Sequence, residues 1–178
     1  ILNNKETIEY LIKTIFNFDI SYVDPNIKGT SLPIKNEGVG LARKIGADLI
    51  LKYCKEASII CYTDADVILS NNYLKKITQY YNKHNCGCAM INYKHQKNID
   101  PMIEKSIKEY DQFLLKTAQD LKNTGSPYGY VSIGSCMTCT ASGYIAVGRM
   151  NKMKAKEDFY FLELEFQYNL IHLLYVEY

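Results

Sequence analysis

The chain has 178 residues, of which 47% are hydrophobic and 22% charged, and this composition suits one globular domain with a sizeable core. Its 21 lysine and arginine residues nearly balance its 19 aspartate and glutamate residues, so the net charge of +2 gives no reason to expect a nucleic-acid partner. No apolar run approaches the roughly 20 residues of a membrane span, and the first residues do not read as a secretory signal. Six cysteines, two of them within apolar stretches, favour a reducing cytoplasm over a secreted disulfide scaffold.

Helices and strands are predicted to alternate over the first hundred residues. Apolar residues recur there at helical spacing or in short runs, and turn residues separate these segments. In chain order, the predicted elements are a helix over 4–16, a strand over 19–24, a helix over 38–54, a strand over 58–63, a helix over 71–81 and a strand over 88–93. The almost wholly apolar run SIICYT at 58–63 is typical of a strand that is covered on both faces.

Helices dominate the predictions for the second half of the chain. In order, these are a long helix over 100–122, a loop over 125–129, an extended segment over 130–133, helices over 141–147 and 157–168, and a final apolar stretch over 171–176. Strand–helix alternation followed by mixed elements indicates an α/β fold in which helices flank a mostly parallel central sheet.

The segment Thr63-Asp64-Ala65-Asp66 directly follows the predicted buried strand. In open α/β sheets, ligands bind beyond the carboxyl ends of the strands, so two carboxylates one residue apart can both reach one site there. Two such charges repel each other unless a cation is near, and Mg²⁺ or Mn²⁺ bridges carboxylates to phosphates. The segment therefore indicates a metal–phosphate site, although a turn in which Asp66 caps the next element would use the same residues.

Two further segments carry glycines or carboxylates at predicted helix starts. The segment GVGLARKIG, from Gly38 to Gly46, resembles a glycine-rich phosphate loop without a third glycine in place, so its glycines could equally serve helix entry and packing against the sheet. The segment KEDF, from Lys156 to Phe159, precedes an apolar helix, where free N–H groups and the helix dipole stabilise a carboxylate. Asp158 would then be either a helix cap or a general base, which must be ionised before it takes a proton.

The order and spacing of these three features resemble the inverting glycosyltransferases of family two, which have the GT-A fold. The resemblance covers most of residues 3–165, and its most specific parts are TDADV and KEDFYF. The other matching pieces are NNKETIEYLIKTI, the strand that ends in YVD, GVGLARKIGAD, ASIICY and GSCMTCTASGYIAVG. The resemblance implies a metal-dependent transfer of a sugar, with inversion, from a nucleoside-diphosphate sugar to a hydroxyl of a glycan or lipid-linked acceptor, and a UDP-sugar is the favoured donor.

The resemblance assigns four residues to the nucleotide-sugar side. Asp24 would hydrogen-bond the nucleotide base, and Arg43 lies in the helix whose basic residue approaches the nucleotide. Asp64 would contact the ribose or the metal ion, and Asp66 would bind the Mn²⁺ or Mg²⁺ ion that bridges the diphosphate.

Four other residues are assigned to catalysis and to the acceptor side. Asp158 would be the catalytic base, and Glu157 would help to orient the acceptor. Gly134 and Ser135 would line the acceptor side of the cleft.

The resemblance also implies a domain plan and a cellular setting. We expect residues 1–178 to form a single catalytic domain, with its nucleotide-binding part at about 1–95 and its acceptor-side part at about 96–178. The family's first strand would precede Asn3, so we expect a truncation there. The Gln-x-x-Arg-Trp signature of processive synthases is absent, which favours a non-processive bacterial enzyme. It would act in the cytoplasm, or peripherally at the inner membrane face, in building a cell-surface glycan.

Other interpretations remain open at the level of sequence. A sugar-phosphate nucleotidyltransferase would share metal carboxylates and sheet topology, and a non-catalytic sugar-nucleotide or glycan-binding relative would keep the fold without turnover. The pairs Cys86/Cys88 and Cys136/Cys139 could bind structural zinc if they met in space. The three histidines, at positions 84, 95 and 172, lack a spacing that suggests shared metal ligation and are predicted to be surface or edge residues.

Overall fold

The computed structural model describes residues 4–23, 38–153, 156–167 and 171–174. The chain divides into two compact units, Ile1–Pro33 and Ile34–Tyr178. In the first unit, the predicted N-terminal helix is present as α1 (Asn4–Lys13). Phe16 packs against Tyr10 and Phe18, with ring centroids 6.4 Å and 5.3 Å apart.

The strand predicted over 19–24 is not formed in its described part. Residues 19–23 are exposed and pair with no strand among the described residues. An alternating apolar pattern supplies side chains for one face of a strand, but a strand also needs a partner edge for its backbone groups. Asp24, the last residue of this prediction, lies outside the described residues.

The second unit contains five helices and four strands within its described ranges. These are α2 (Val39–Ile50), β1 (Ile59–Cys61), α3 (Tyr73–Lys83), β2 (Cys88–Ile91), α4 (Pro101–Asn123), β3 (Met137–Thr140), α5 (Ala141–Ala146), α6 (Glu157–Gln167) and β4 (Ile171–Leu174). All five helices were predicted from sequence. Local chemistry explains the sharp start of α4, because the Asp100 side chain accepts a hydrogen bond from the Met102 backbone N–H at 2.8 Å and Pro101 occupies the first helical position.

The four strands pair in the order β1-β3-β2-β4. Strand β3 is antiparallel to both β1 and β2, whereas β4 is parallel to β2. Three strands therefore point the same way and β3 alone is reversed, but two of the three pairings are antiparallel because β3 lies between β1 and β2. The described sheet thus differs from the mostly parallel pairing expected from the sequence. Strand–helix alternation predicts the direction of each strand, but it does not predict the order in which the strands lie in the sheet.

Strand β3 is an element that the sequence did not predict. The extended segment expected over 130–133 has no strand pairing, and the strand begins only at Met137, after a 3₁₀ turn over Gly134–Cys136. Thr138 interrupts the apolar run, yet it is fully buried, since its hydroxyl donates to the Ala89 carbonyl at 3.0 Å and lies 3.1 Å from the Tyr81 hydroxyl. A buried threonine with a satisfied hydroxyl carries no apolar signal in the sequence.

The core of the second unit is built around the two central strands. All four residues of β2 are buried, as are the first three of β3. Helices α3, α5 and α6 add four of the six bulkiest fully buried side chains, and these are Ile77, Tyr144, Phe161 and Leu162. The Tyr144 hydroxyl donates to Asp48 Oδ1 at 3.0 Å, which ties α5 to α2.

The four cysteines that suggested zinc do not converge. Cys88 lies directly opposite Cys139 in the β2–β3 pairing. Cys86 lies two residues before Cys88, and Cys136 lies in the 3₁₀ turn three residues before Cys139. Because β2 and β3 run in opposite directions, these steps lead toward opposite ends of the pairing and separate the two thiols by more than about 10 Å. A zinc ion holds its sulfur ligands at about 2.3 Å, so one ion cannot bind all four. No metal-competent group of three or more His, Cys, Asp or Glu residues occurs in the described part of the chain.

Two glycines of α2 have opposite surroundings. A Cβ atom on Gly40 would collide with the Met153 carbonyl oxygen and would lie 2.8 Å from the Glu157 Cβ, whereas a Cβ on Gly46 would meet nothing within 4 Å. The close approach within α2 is therefore at Gly40, where α2 meets the start of α6.

We expect Gly40→Ala to lower the free energy of unfolding by about 1–3 kcal/mol, because backbone would have to move. In contrast, Gly46→Ala fills open space within the same helix and should raise the free energy of unfolding by roughly 0.5–1 kcal/mol. Urea unfolding of both variants measures the difference. Equal effects of the two substitutions would contradict the packing of α2 on the start of α6.

Candidate functional site

Three chain segments meet at one edge of the sheet. Because β1 and β2 point the same way and β3 is reversed, the ends of β1 and β2 share this edge with the start of β3. A cavity of about 330 Å³ lies here. Its lining includes Asp64 and Asp66 after β1, Tyr93 and His95 after β2, and Ser135 before β3. The predicted placement of the two aspartates beyond the end of a strand is confirmed.

Arg43 joins the carboxylates of two segments that are far apart in sequence. Its Nη2 atom donates to Asp64 Oδ1 at 2.7 Å, and its Nη1 atom donates to Glu157 Oε1. The Arg43 side chain is 11% exposed and that of Glu157 is 5% exposed, whereas Asp64 is 46% exposed. This Arg43 bridge, consisting of Arg43, Asp64 and Glu157, fixes α2, the end of β1 and the start of α6 to one another.

The start of α6 carries the predicted acidic pair. Glu157 and Asp158 are its first two residues, as the sequence predicted, and Lys156 before them has a positive φ of 63°. Such a backbone conformation is costly for a residue with a side chain, and the surrounding contacts must hold it. Glu157 is buried against Arg43, whereas Asp158 is half-buried and its Oδ1 accepts a hydrogen bond from the Phe159 backbone N–H at 2.8 Å. Asp158 does not line the cavity that holds Asp64 and Asp66.

The turn before β3 brings Gly134 and Ser135 to the same place. A Cβ atom on Gly134 would collide with the Arg43 guanidinium group, so a glycine here leaves room for the Arg43 bridge. Ser135 lines the cavity beside the two aspartates. Of the predicted site residues, the structure therefore brings Arg43, Asp64, Asp66, Gly134, Ser135 and Glu157 to one edge of the sheet, with Asp158 next to Glu157. Asp24 lies outside the described residues.

Two carboxylates at this edge are candidate metal ligands. Asp66 is exposed at the cavity, and one oxygen of Asp64 is bonded to Arg43. Among the described residues no third His, Cys, Asp or Glu completes a metal-binding group. These two carboxylates cannot supply all the ligands of a metal ion by themselves, but Mg²⁺ is often held by one or two carboxylates together with substrate phosphates.

Sequence reasoning missed a second polar group at the cavity. His95 Nδ1 lies 2.7 Å from Asp111 Oδ1, and the Tyr93 hydroxyl donates to the same oxygen at 3.4 Å. Burial and the Asp111 charge raise the pKa of Tyr93 to about 12. His95, which was predicted to be a surface or edge residue, is partly exposed and follows β2 by four residues. The rule that singled out the aspartates after β1 also applies to this position, so the signal was in the sequence.

Within the described residues, none of the helices combines the length and the hydropathy that a bilayer crossing requires. Comparisons of the chain with protein-family models, with curated proteins and with solved structures find no match.

Proposed function

We propose that the chain is a metal-dependent, inverting glycosyltransferase of the GT-A type. It would move a sugar from a nucleoside-diphosphate sugar, with UDP as the favoured nucleotide, to a hydroxyl of a glycan or lipid-linked acceptor. The observation that carries the proposal is the Arg43 bridge. It links Asp64 of the TDAD segment to Glu157 of the KED segment, so the two most specific parts of the family resemblance meet beside one cavity.

In this proposal, the donor occupies the cavity at the ends of β1 and β2. Asp66 and Asp64 would hold a Mn²⁺ or Mg²⁺ ion, which neutralises negative charge on a departing nucleoside diphosphate. Arg43 keeps Asp64 at the cavity wall through the 2.7 Å hydrogen bond. Ser135 lines the same cavity, where its hydroxyl can hydrogen-bond the sugar or the diphosphate.

Asp158 takes the role of general base. Its carboxylate removes the proton of an acceptor hydroxyl, the hydroxyl oxygen bonds to the anomeric carbon, and the bond from that carbon to the diphosphate breaks. A single displacement of this kind inverts the configuration at the anomeric carbon. Glu157 would act on the acceptor indirectly, because its buried bond to Arg43 sets the position of the first turn of α6.

One observation favours a second candidate function. Asp158 does not line the cavity that contains Asp64 and Asp66. A non-catalytic relative, which binds a sugar nucleotide or glycan without transferring the sugar, has no need for a base in contact with the bound ligand. Donor binding without any transfer would favour this alternative.

Metal-dependent binding tests the proposal through Asp66. We expect Asp66→Ala to weaken the binding of UDP by at least about tenfold in Mn²⁺, since loss of outer-shell partners alone has that effect on metal sites. In EDTA the variant and the wild type should bind UDP equally. Isothermal titration under both conditions measures this. Asp120→Ala, which removes an exposed carboxylate paired with Lys116 on α4, is the matched control. Equal affinity of the wild type and Asp66→Ala for UDP in Mn²⁺ would contradict the assignment of Asp66 as a metal ligand.

A further inference from the structure

His95 and Asp111 form a pair of side chains that neither the family resemblance nor the proposed reaction uses. His95 follows β2 and lines the cavity, whereas Asp111 belongs to α4 and does not. The 2.7 Å contact between His95 Nδ1 and Asp111 Oδ1 joins these two elements. Their side chains are 36% and 31% exposed, so the pair is partly screened from solvent but open to a ligand.

The imidazole ring is held by more than this hydrogen bond. The Tyr93 ring stands edge-on to it, with ring centroids 5.2 Å apart and an interplanar angle of 86°. The Tyr110 ring, on α4, also lies beside the imidazole, with ring centroids 6.2 Å apart. The Tyr93 hydroxyl, kept protonated by its raised pKa, donates to Asp111 Oδ1 and helps to fix the carboxylate. A ring fixed in this way presents one defined atom to a ligand.

That atom is Nε2. Nδ1 makes the ring's hydrogen bond to Asp111 within the described residues, which leaves Nε2 as the nitrogen available to a molecule in the cavity. A carboxylate that orients a histidine through Nδ1 is a recurring arrangement for presenting Nε2 to a substrate or metal. In the proposed site the metal ion is held by Asp64 and Asp66, so Nε2 is left to bind an organic part of the ligand in the same cavity.

We infer that His95 is a donor-binding residue whose Nε2 hydrogen-bonds a hydroxyl of the sugar carried by the nucleoside diphosphate, with Asp111 as its positioning residue. The inference rests on the proposed function. The donor sugar is favoured over the acceptor because His95 shares its cavity with Asp64 and Asp66, whereas Asp158 on the acceptor side does not line it.

The test compares UDP with UDP-glucose, UDP-galactose and UDP-N-acetylglucosamine in Mn²⁺ by isothermal titration. We expect the wild type to bind one UDP-sugar, and His95→Ala to weaken that binding by about tenfold, the usual effect of one lost hydrogen bond. Binding of UDP alone should be unchanged, because UDP has no sugar hydroxyl at this position. His84→Ala is the matched control, since His84 precedes β2 by four residues and lies at the opposite end of the strand.

A double-mutant cycle separates positioning from general stability. We expect Asp111→Ala to weaken UDP-sugar binding as much as His95→Ala, and the double variant to show no further loss. Asp111→Asn keeps an oxygen that can accept from Nδ1–H, so it should restore most of the affinity. A merely structural role for Asp111 would lower the affinities for UDP and for the UDP-sugar together.

The outcomes distinguish this inference from the proposed function. If the wild type binds a UDP-sugar and His95→Ala binds it equally well, the inference is overturned and the proposed function stands. If the wild type binds neither UDP nor any of the three UDP-sugars, the UDP-dependent form of the proposed function is contradicted, and so is this inference.

Discussion

Replacing Arg43 by methionine is expected to lower the free energy of unfolding by about 3–5 kcal/mol, which is the usual cost of leaving one partner of a buried ion pair without the other. The Glu157 side chain is 5% exposed and accepts a hydrogen bond from Arg43 within the fold. Methionine keeps much of the apolar stem of arginine but not its charge, so the Glu157 carboxylate would be left buried without a counter-charge. Urea unfolding of the wild type and the variant measures the loss.

Two further variants make this prediction specific to the Arg43 bridge. Adding Glu157→Gln to Arg43→Met removes the stranded charge and should recover most of the lost stability. Lys44→Met is the matched control on the next residue, because Lys44 pairs with Asp48 at 3.1 Å one helical turn along and such pairs contribute only about 0.3–0.5 kcal/mol. A loss in Arg43→Met no larger than in Lys44→Met would show that the bridge does not hold α2 to α6.

The largest expected effect on activity belongs to Asp158. Asp158→Asn keeps the size of the side chain but cannot take a proton, and loss of a general base costs about 10²–10⁴-fold in rate. The variant should bind UDP as the wild type does, since Asp158 does not line the cavity of Asp64 and Asp66. Release of UDP from a UDP-sugar measures the transfer rate, and isothermal titration with UDP measures the affinity for the nucleotide.

Glu163→Gln is the control for this prediction. It makes the same kind of change on α6, but at a position about 140° around the helix from Asp158. Transfer by Asp158→Asn at the wild-type rate would show that another group is the base. If the wild type binds UDP-sugars and transfers no sugar at all, the non-catalytic alternative is favoured.

Sequence patterns predicted the elements of this chain well where the signal is local. Helix α4 has a cap at Asp100, a proline at its first position and apolar residues at helical spacing, and these features all act within a few residues. The same holds for the two aspartates after β1, whose placement needs only the strand before them.

Pairing between distant segments was the part that the sequence could not predict. Strand β3 is inserted between β1 and β2 and is held partly by the buried Thr138 hydroxyl, a contact that no local pattern reveals. The same insertion separates Cys86 from Cys136, which removes the suggested zinc site.

The candidate site shows the same division. Arg43 and Glu157 were singled out for separate reasons, and their contact spans 114 positions of the chain. The strand-end rule that singled out the two aspartates also applies to His95, but the contact of His95 with Asp111 joins two separate elements and could not be predicted from a local pattern.

Thermal unfolding with UDP, GDP and CDP, each with and without Mn²⁺, tests the central proposal most directly. A ligand present at about 100 times its dissociation constant adds roughly 2.7 kcal/mol, and for a chain of this size each kcal/mol raises the unfolding midpoint by about 2–4 °C. The account predicts that one nucleotide, with UDP favoured, raises the midpoint by several degrees when Mn²⁺ is present and much less without it. No shift with any of the three nucleotides in Mn²⁺ would contradict the proposal of a metal-dependent nucleotide-sugar site.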